Sequence, residues 1–180
     1  MQKQRFPQKV QKLREPDRIE DLEIERVVKL SAPSDGYKNV LDIGTGSGLF
    51  AEVFSSPALC VTGVDNDPEM VAAAKMLVPD AFFLMAAAEA LPFLAYSFNL
   101  VFFGLVLHEI DNRLEALQEA LRVAQQRVVV LEWPFPRQHE SPPKARRFTP
   151  EEVRELSQKA GFHHIDIFQL RHFLLYRMDL

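Results

Sequence analysis

Val40-Leu41-Asp42-Ile43-Gly44-Thr45-Gly46-Ser47-Gly48-Leu49-Phe50 is the stretch that decides the fold. An apolar run ends in an acid, passes through three alternating glycines and continues as a helical pattern. That is a strand, a tight turn and a helix, arranged so that a ligand can approach bare backbone. The same texture continues outward. Leu59–Val64, Ala81–Met85, Leu100–Phe103 and Val128–Leu131 read as further strands, with helices over Leu49–Phe54, Pro68–Leu77 and Arg113–Val123 between them. Strands that are apolar on both faces imply a parallel sheet covered by helices on both sides. The alternation predicts right-handed βαβ units and a doubly wound α/β fold. Near the end, Thr149-Pro150-Glu151-Glu152 carries the signature of a capping box, and Gly161 can close that helix. Ile165–Leu170 and Phe173–Arg177 follow as two strands joined so closely that they must run antiparallel.

Composition bounds the function. At 180 residues, 47% of them hydrophobic, the chain is expected to form one domain over 1–180, with 31–180 as its core. A net charge of −4 argues against a nucleic-acid partner. The lone cysteine, Cys60, excludes internal disulfides and thiolate-rich metal cages, and its place in a strand assigns it to the core. The basic start lacks the apolar stretch of a secretory signal, and no run approaches the roughly 20 residues of a membrane span. A cytoplasmic protein, monomeric or homodimeric, is expected. Residues 1–30 are polar, with a helix predicted from Asp17 to Leu30, and they read as a lid over a ligand cleft. Residues 133–148, rich in proline and arginine, read as a long irregular segment.

The glycine loop narrows the ligand. A dinucleotide fingerprint would place its third glycine at position 49, which is Leu49, and no Gly-Lys-Ser/Thr follows for a P-loop. Asp42 would repel a pyrophosphate but attract an ammonium group, so the charges suit S-adenosylmethionine better than NAD. Asp65 ends the second strand, where an acid can accept hydrogen bonds from a ribose diol. Asp67-Pro68 reads instead as the cap and first residue of the next helix, so Asp65 is assigned to the ligand and Asp67 to the fold.

With LDIGTGSG, GVDNDPEM after the second strand, AEALPF at 88–93, SFNLVFFGLVLHEID and RFTPEEVRELSQKAGF in this order, the sequence resembles the class I S-adenosylmethionine-dependent methyltransferases. The likeness is greatest to the small-molecule group that includes ubiquinone/menaquinone biosynthesis C-methyltransferases. It implies a Rossmann-like, seven-stranded, mostly parallel sheet with an antiparallel last strand. It further implies that Gly44, Thr45 and Gly46 face the methionine part of the cofactor, with Asp42 turned toward the ammonium end. Asp65 would hold the ribose, Asn66 and Met70 would flank the adenine, and Ala87, Ala88 and Glu89 would lie along its ring. Phe103, Gly104 and Leu105 would leave the fourth strand beside the transferable methyl. Two positions depart from the pattern: Ala87 stands where relatives carry an acid, and Asn99 replaces the usual aspartate.

His108 is the candidate catalytic residue, either as a base of ordinary pKa or as a wall of the pocket. Metal ligation is not expected, since no HExxH spacing occurs and adjacent His163 and His164 point apart on a strand. Phe82, Phe83, Phe98 and Phe102 are assigned to the core, and Phe93, Tyr96, Trp133 and Phe135 to an apolar substrate pocket. Lys144, Arg146 and Arg147 are candidate contacts for an anionic substrate. The leading function is methyl transfer from S-adenosylmethionine to a small-molecule acceptor, with S-adenosylhomocysteine as product. Two alternatives stand beside it: a non-catalytic S-adenosylmethionine-binding subunit and an NAD(P)-dependent oxidoreductase.

Overall fold

The computed structural model describes residues 6–34, 36–134 and 147–180. Its centre is a seven-stranded sheet formed by β1 (Asn39–Ile43), β2 (Cys60–Asp65), β3 (Phe82–Met85), β4 (Phe98–Gly104), β5 (Ala124–Glu132), β6 (Asp166–Gln169) and β7 (Leu174–Asp179). The strand order is β3-β2-β1-β4-β5-β7-β6. The first five strands pair in parallel, whereas β7 runs antiparallel between β5 and β6. The fold is therefore the expected one, with the last strand alone reversed.

Each inner strand is apolar on both sides because each side meets helices. Val40, Leu100, Phe102, Val129 and Leu131 pack toward a cluster with Phe50, Phe54, Val71 and Ala74 of helices α4 (Leu49–Phe54) and α5 (Pro68–Leu77). Their strand neighbours Leu41, Val101, Phe103, Val128 and Val130 face the opposite cluster. That cluster holds Leu117 and Ala120 of α6 (Arg113–Val123) and Val153 of α7 (Pro150–Ala160). The predicted capping box closes on α7, with Thr149 and Glu152 each accepting from the other's backbone amide, and Gly161 ends the helix in the left-handed region.

Three details differ from expectation. The helix predicted from Asp17 to Leu30 is two, α2 (Pro16–Asp21) and α3 (Ile24–Ser31), broken where Glu23 adopts φ 48°, and α1 (Gln8–Leu13) precedes them. Cys60 is exposed, because it opens β2 rather than lying within it. Phe82 is exposed as well, for β3 is an edge strand and only Phe83 turns inward.

Candidate active site

The chain runs β1, β2 and β3 outward on one side, then returns to lay β4 against β1. This reversal opens a crevice beyond the carboxyl ends of β1 and β4, the place where ligands bind in open α/β sheets. A cleft of about 730 Å³ lies there. The glycine loop forms its floor. Gly44 has φ +66°, and a Cβ on it would stand 2.3 Å from Cγ2 of Val106, so the loop comes close to the segment after β4 only because glycine is present. The Thr45 amide donates to the Val64 carbonyl (2.9 Å), tying the loop to β2.

Asp42 is not where the sequence reading put it. Its carboxyl is buried, Oδ2 accepts the Thr45 hydroxyl at 2.7 Å, and it also accepts from the Ala51 backbone. Burial pushes its pKa up to about 7, against the weaker pull of those donors. The side chain therefore braces the loop from behind instead of facing an ammonium group in the cleft.

Asp65 does face the cleft. Its Oδ2 accepts from the Gly46 amide (2.8 Å) and its Oδ1 from the Asp67 amide (2.9 Å). Desolvation by burial raises its pKa, partly offset by the two amides. Asp67 caps α5 by accepting from the Glu69 amide at 2.8 Å, as expected, and also pairs with Lys9. Gly44, Thr45, Gly46, Asp65, Asn66, Met70, Ala88, Glu89, Gly104, Leu105 and His108 all line the same cleft. Ala87 and Phe103 do not: Ala87 is exposed beside the cleft wall made by Ala86 and Ala88, and Phe103 points into the cluster under α6 and α7.

His108 sits in a 3₁₀ turn, Leu107–Glu109, just past β4. It is buried, and its Nδ1 lies 3.0 Å from both carboxylate oxygens of Glu132 at the end of β5. Glu132 also accepts from the backbone amides of His108 (3.1 Å) and Trp133 (3.0 Å). Burial alone would lower the His108 pKa, but the carboxylates of Glu109 and Glu132 more than reverse this and push it up to about 9. The ordinary pKa expected of a free base is thus not what the geometry provides.

Residues 41–131 match the methyltransferase domain family. The chain belongs to this family. It is 32% identical over 128 residues to a demethylmenaquinone methyltransferase of Thermotoga maritima, covering 69% of this chain and 52% of that protein. A demethylmenaquinone methyltransferase of Chlorobaculum tepidum is 36% identical over 85 residues, covering 47% of this chain and 35% of the relative. The chain thus spans about half or less of the length of these relatives. Among solved structures, a SAM dependent methyltransferase from Aquifex aeolicus superposes with a TM-score of 0.80 at 23% identity, covering 97% of this chain and 99% of the other. That likeness is one of fold.

On this methyltransferase domain the N-terminal segment lies across the cleft, and Lys9, Lys12, Leu13, Arg18 and Leu22 line it. Arg14 donates to the Ser47 carbonyl (2.9 Å) and pairs with Glu52 of α4 (2.6 Å), while Leu13 Cδ1 covers Gly46. The sequence marked this segment as a polar lid, but its individual contacts carry no local signal. Glu132 was also missed, since nothing at the end of a Val-rich strand announces a partner 24 residues away. Of the aromatic pocket candidates, Trp133 lines the cleft, Phe93 packs edge-on against Phe98, and Tyr96 is exposed. Arg147 is buried; Phe135, Lys144 and Arg146 lie outside the described residues. No described helix is long and apolar enough to cross a membrane.

Proposed function

We propose that this chain is an S-adenosylmethionine-dependent methyltransferase acting on a small-molecule acceptor. The observation that carries the reading is the Asp65–Gly46 clasp: a carboxylate held at the end of β2, open to the cleft, beside a loop whose backbone is bare at Gly44 and Gly46. Each Asp65 oxygen accepts one amide and keeps capacity for one more donor, which suits a ribose diol. Asn66, Met70, Ala88 and Glu89 line the adenine side, and Gly104, Leu105 and His108 the methyl side. Ala86 takes the wall position assigned to Ala87, and the backbone of the Gly44–Gly46 loop, rather than the Asp42 carboxyl, meets the amino-acid end.

S-adenosylmethionine supplies an activated methyl on a sulfonium, so the protein needs chiefly to align and to exclude water. Leu105 stands at φ +60° immediately after β4, lines the cleft and packs into the hydrophobic cluster behind it. Leu13, Arg18 and Leu22 roof the opening, and the described part of the N-terminal segment, residues 6–30, serves as the lid. The likeness to demethylmenaquinone methyltransferases and the cleft position of Trp133 support a small aromatic acceptor; the acidic balance speaks for such an acceptor over nucleic acid. Cytoplasmic residence and a monomeric or homodimeric state belong to the same reading.

Calorimetric titration with S-adenosylmethionine and S-adenosylhomocysteine tests it. Saturable binding of both is expected. Stabilisation by NAD(P) without any by S-adenosylhomocysteine would hand the site to an oxidoreductase. Hydrogen exchange addresses the lid: residues 8–31 should gain protection with S-adenosylhomocysteine, and equal protection in both states would refute closure.

A further inference from the structure

Lys9, Lys12, Arg18 and His108 are the basic side chains that line the cleft, and Arg18 of α2 and His108 stand apart from the two lysines. Their surroundings are unlike those of surface cations. The Nε of Arg18 is buried and has no hydrogen-bond partner among the described residues. The imidazole of His108 is oriented by Glu132, which is 1% exposed and is itself held by two backbone amides. With Nδ1 against that carboxylate, Nδ1 must carry a proton, and Nε2 is the ring nitrogen left for the cleft. There it lies 3.6 Å from Oε1 of Glu109, a side chain 65% exposed, whose charge also acts on Arg18. An exposed carboxylate therefore acts on both cationic side chains.

We propose that Arg18 and His108 form an anion-binding clamp, that Glu132 is the positioning residue orienting it, and that the methyl acceptor carries an anionic oxygen that takes the place of the Glu109 carboxylate. The proposal rests on the methyltransferase reading above and specifies the chemical class of its acceptor. A neutral acceptor would leave the Arg18 Nε without a partner and His108 facing Glu109, so it would gain nothing from the charged donors. An anionic oxygen uses both, and Glu109 is displaced into solvent at little cost because it is already exposed. The anion can be a carboxylate or an ionised hydroxyl. In the second case the hydroxyl proton leaves to solvent on binding, and His108 is not required as a base.

The charged groups around His108 come from several elements. Glu132 lies on β5, with Tyr176 of β7 beyond it; Arg113 of α6 donates to the His108 carbonyl; Glu109, Asp111 and Arg18 line the cleft in front. Of these, Glu132 and Glu109 dominate the proton affinity of the ring. Clamp function should accordingly persist at neutral pH and fail as pH rises through about 9.

The test is calorimetric titration of the full chain, saturated with S-adenosylhomocysteine, with benzoate and 4-nitrophenolate against the neutral benzamide and 4-nitroanisole. At least one anion should bind at least about tenfold more tightly than its neutral counterpart, and which one does so distinguishes carboxylate from ionised hydroxyl. His108→Gln and Arg18→Met should each lose about tenfold or more for that anion. Glu109→Gln, an exposed change that does not threaten folding, should strengthen anion binding severalfold. In Glu132→Gln the loss of anion affinity with rising pH should move to lower pH, an effect that a merely structural Glu132 would not produce. Equal binding of anionic and neutral probes, absence of probe binding, or no gain in Glu109→Gln overturns the clamp while the cofactor assignment stands. Failure to bind S-adenosylhomocysteine at all removes the underlying reading, and the clamp with it.

Discussion

Replacing Asp65 by alanine should damage both cofactor binding and the fold, in proportions that the geometry sets. The side chain was expected to serve only the ligand, yet it accepts from Gly46 at 2.8 Å and from Asp67 at 2.9 Å. Hydrogen bonds to a charged group are worth about 1.5–3 kcal/mol each. Both amides can regain water at this half-buried position, and removing the carboxylate relieves the desolvation that raises its pKa. The net loss of stability should therefore be about 1–2 kcal/mol, less than the sum of the two bonds. For a chain of this size that lowers Tm by roughly 2–8 °C. Affinity for S-adenosylhomocysteine should fall about 10–100-fold, since each 1.4 kcal/mol lost from the diol contacts is a factor of ten. Asp67→Ala is the control. It removes the cap on α5, costing about 1 kcal/mol, and should leave affinity within about threefold. Calorimetry and thermal melts on the two variants separate the roles. A folded Asp65→Ala protein that binds S-adenosylhomocysteine as tightly as the wild type would refute the ribose assignment.

Gly44→Ala should cost about 2–4 kcal/mol, from a left-handed backbone and a Cβ placed 2.3 Å from Val106 Cγ2, and should abolish cofactor binding. Gly36→Ala, with φ +79° but nothing within 4 Å, should cost only the backbone share of about 1–2 kcal/mol in the same urea titration. Two buried groups should each draw stability down as pH rises. Asp42, with its folded pKa raised from 3.8 to about 7, contributes fully below 3.8, and the contribution is lost through about 7. His108, raised from 6.5 to about 9, contributes below 6.5 and loses it through about 9. Asp42→Asn should flatten the first decline in urea midpoints measured between pH 4 and 8, and an unchanged slope would contradict the burial argument. Thr149→Ala should lower stability by about 1 kcal/mol through loss of the α7 capping box, read in the same melts.

The parts that were legible in the sequence are those where local chemistry and fold agree. The helices Leu49–Phe54, Pro68–Leu77 and Arg113–Val123 run as read, because Gly48, Asp67-Pro68 and Asn112 mark their starts. The break at Glu23 was not legible, for it uses neither glycine nor proline; its side chain accepts from nearby Arg26 and, from far along the chain, from the Arg171 amide. Asp42 was misplaced for a related reason. A charge pattern says which ion a carboxylate would favour, but not whether a threonine three residues on will enclose it. Glu132 and Arg18 acquire their places only through tertiary contacts, which no local spacing encodes.

The position of β7 has a kinetic consequence. Residues 174–179 follow the other six strands in sequence, yet they pair on one side with β5 and on the other with β6. Until β7 docks, β5 presents an open edge to everything around it. Strands β1–β5 can pair earlier, but the β5 edge stays open until the long segment between β5 and β7, which carries α7 and β6, has met its closure entropy. The sheet should therefore be completed by docking of the β6–β7 pair as a unit, since β6 reaches the rest of the sheet only through β7.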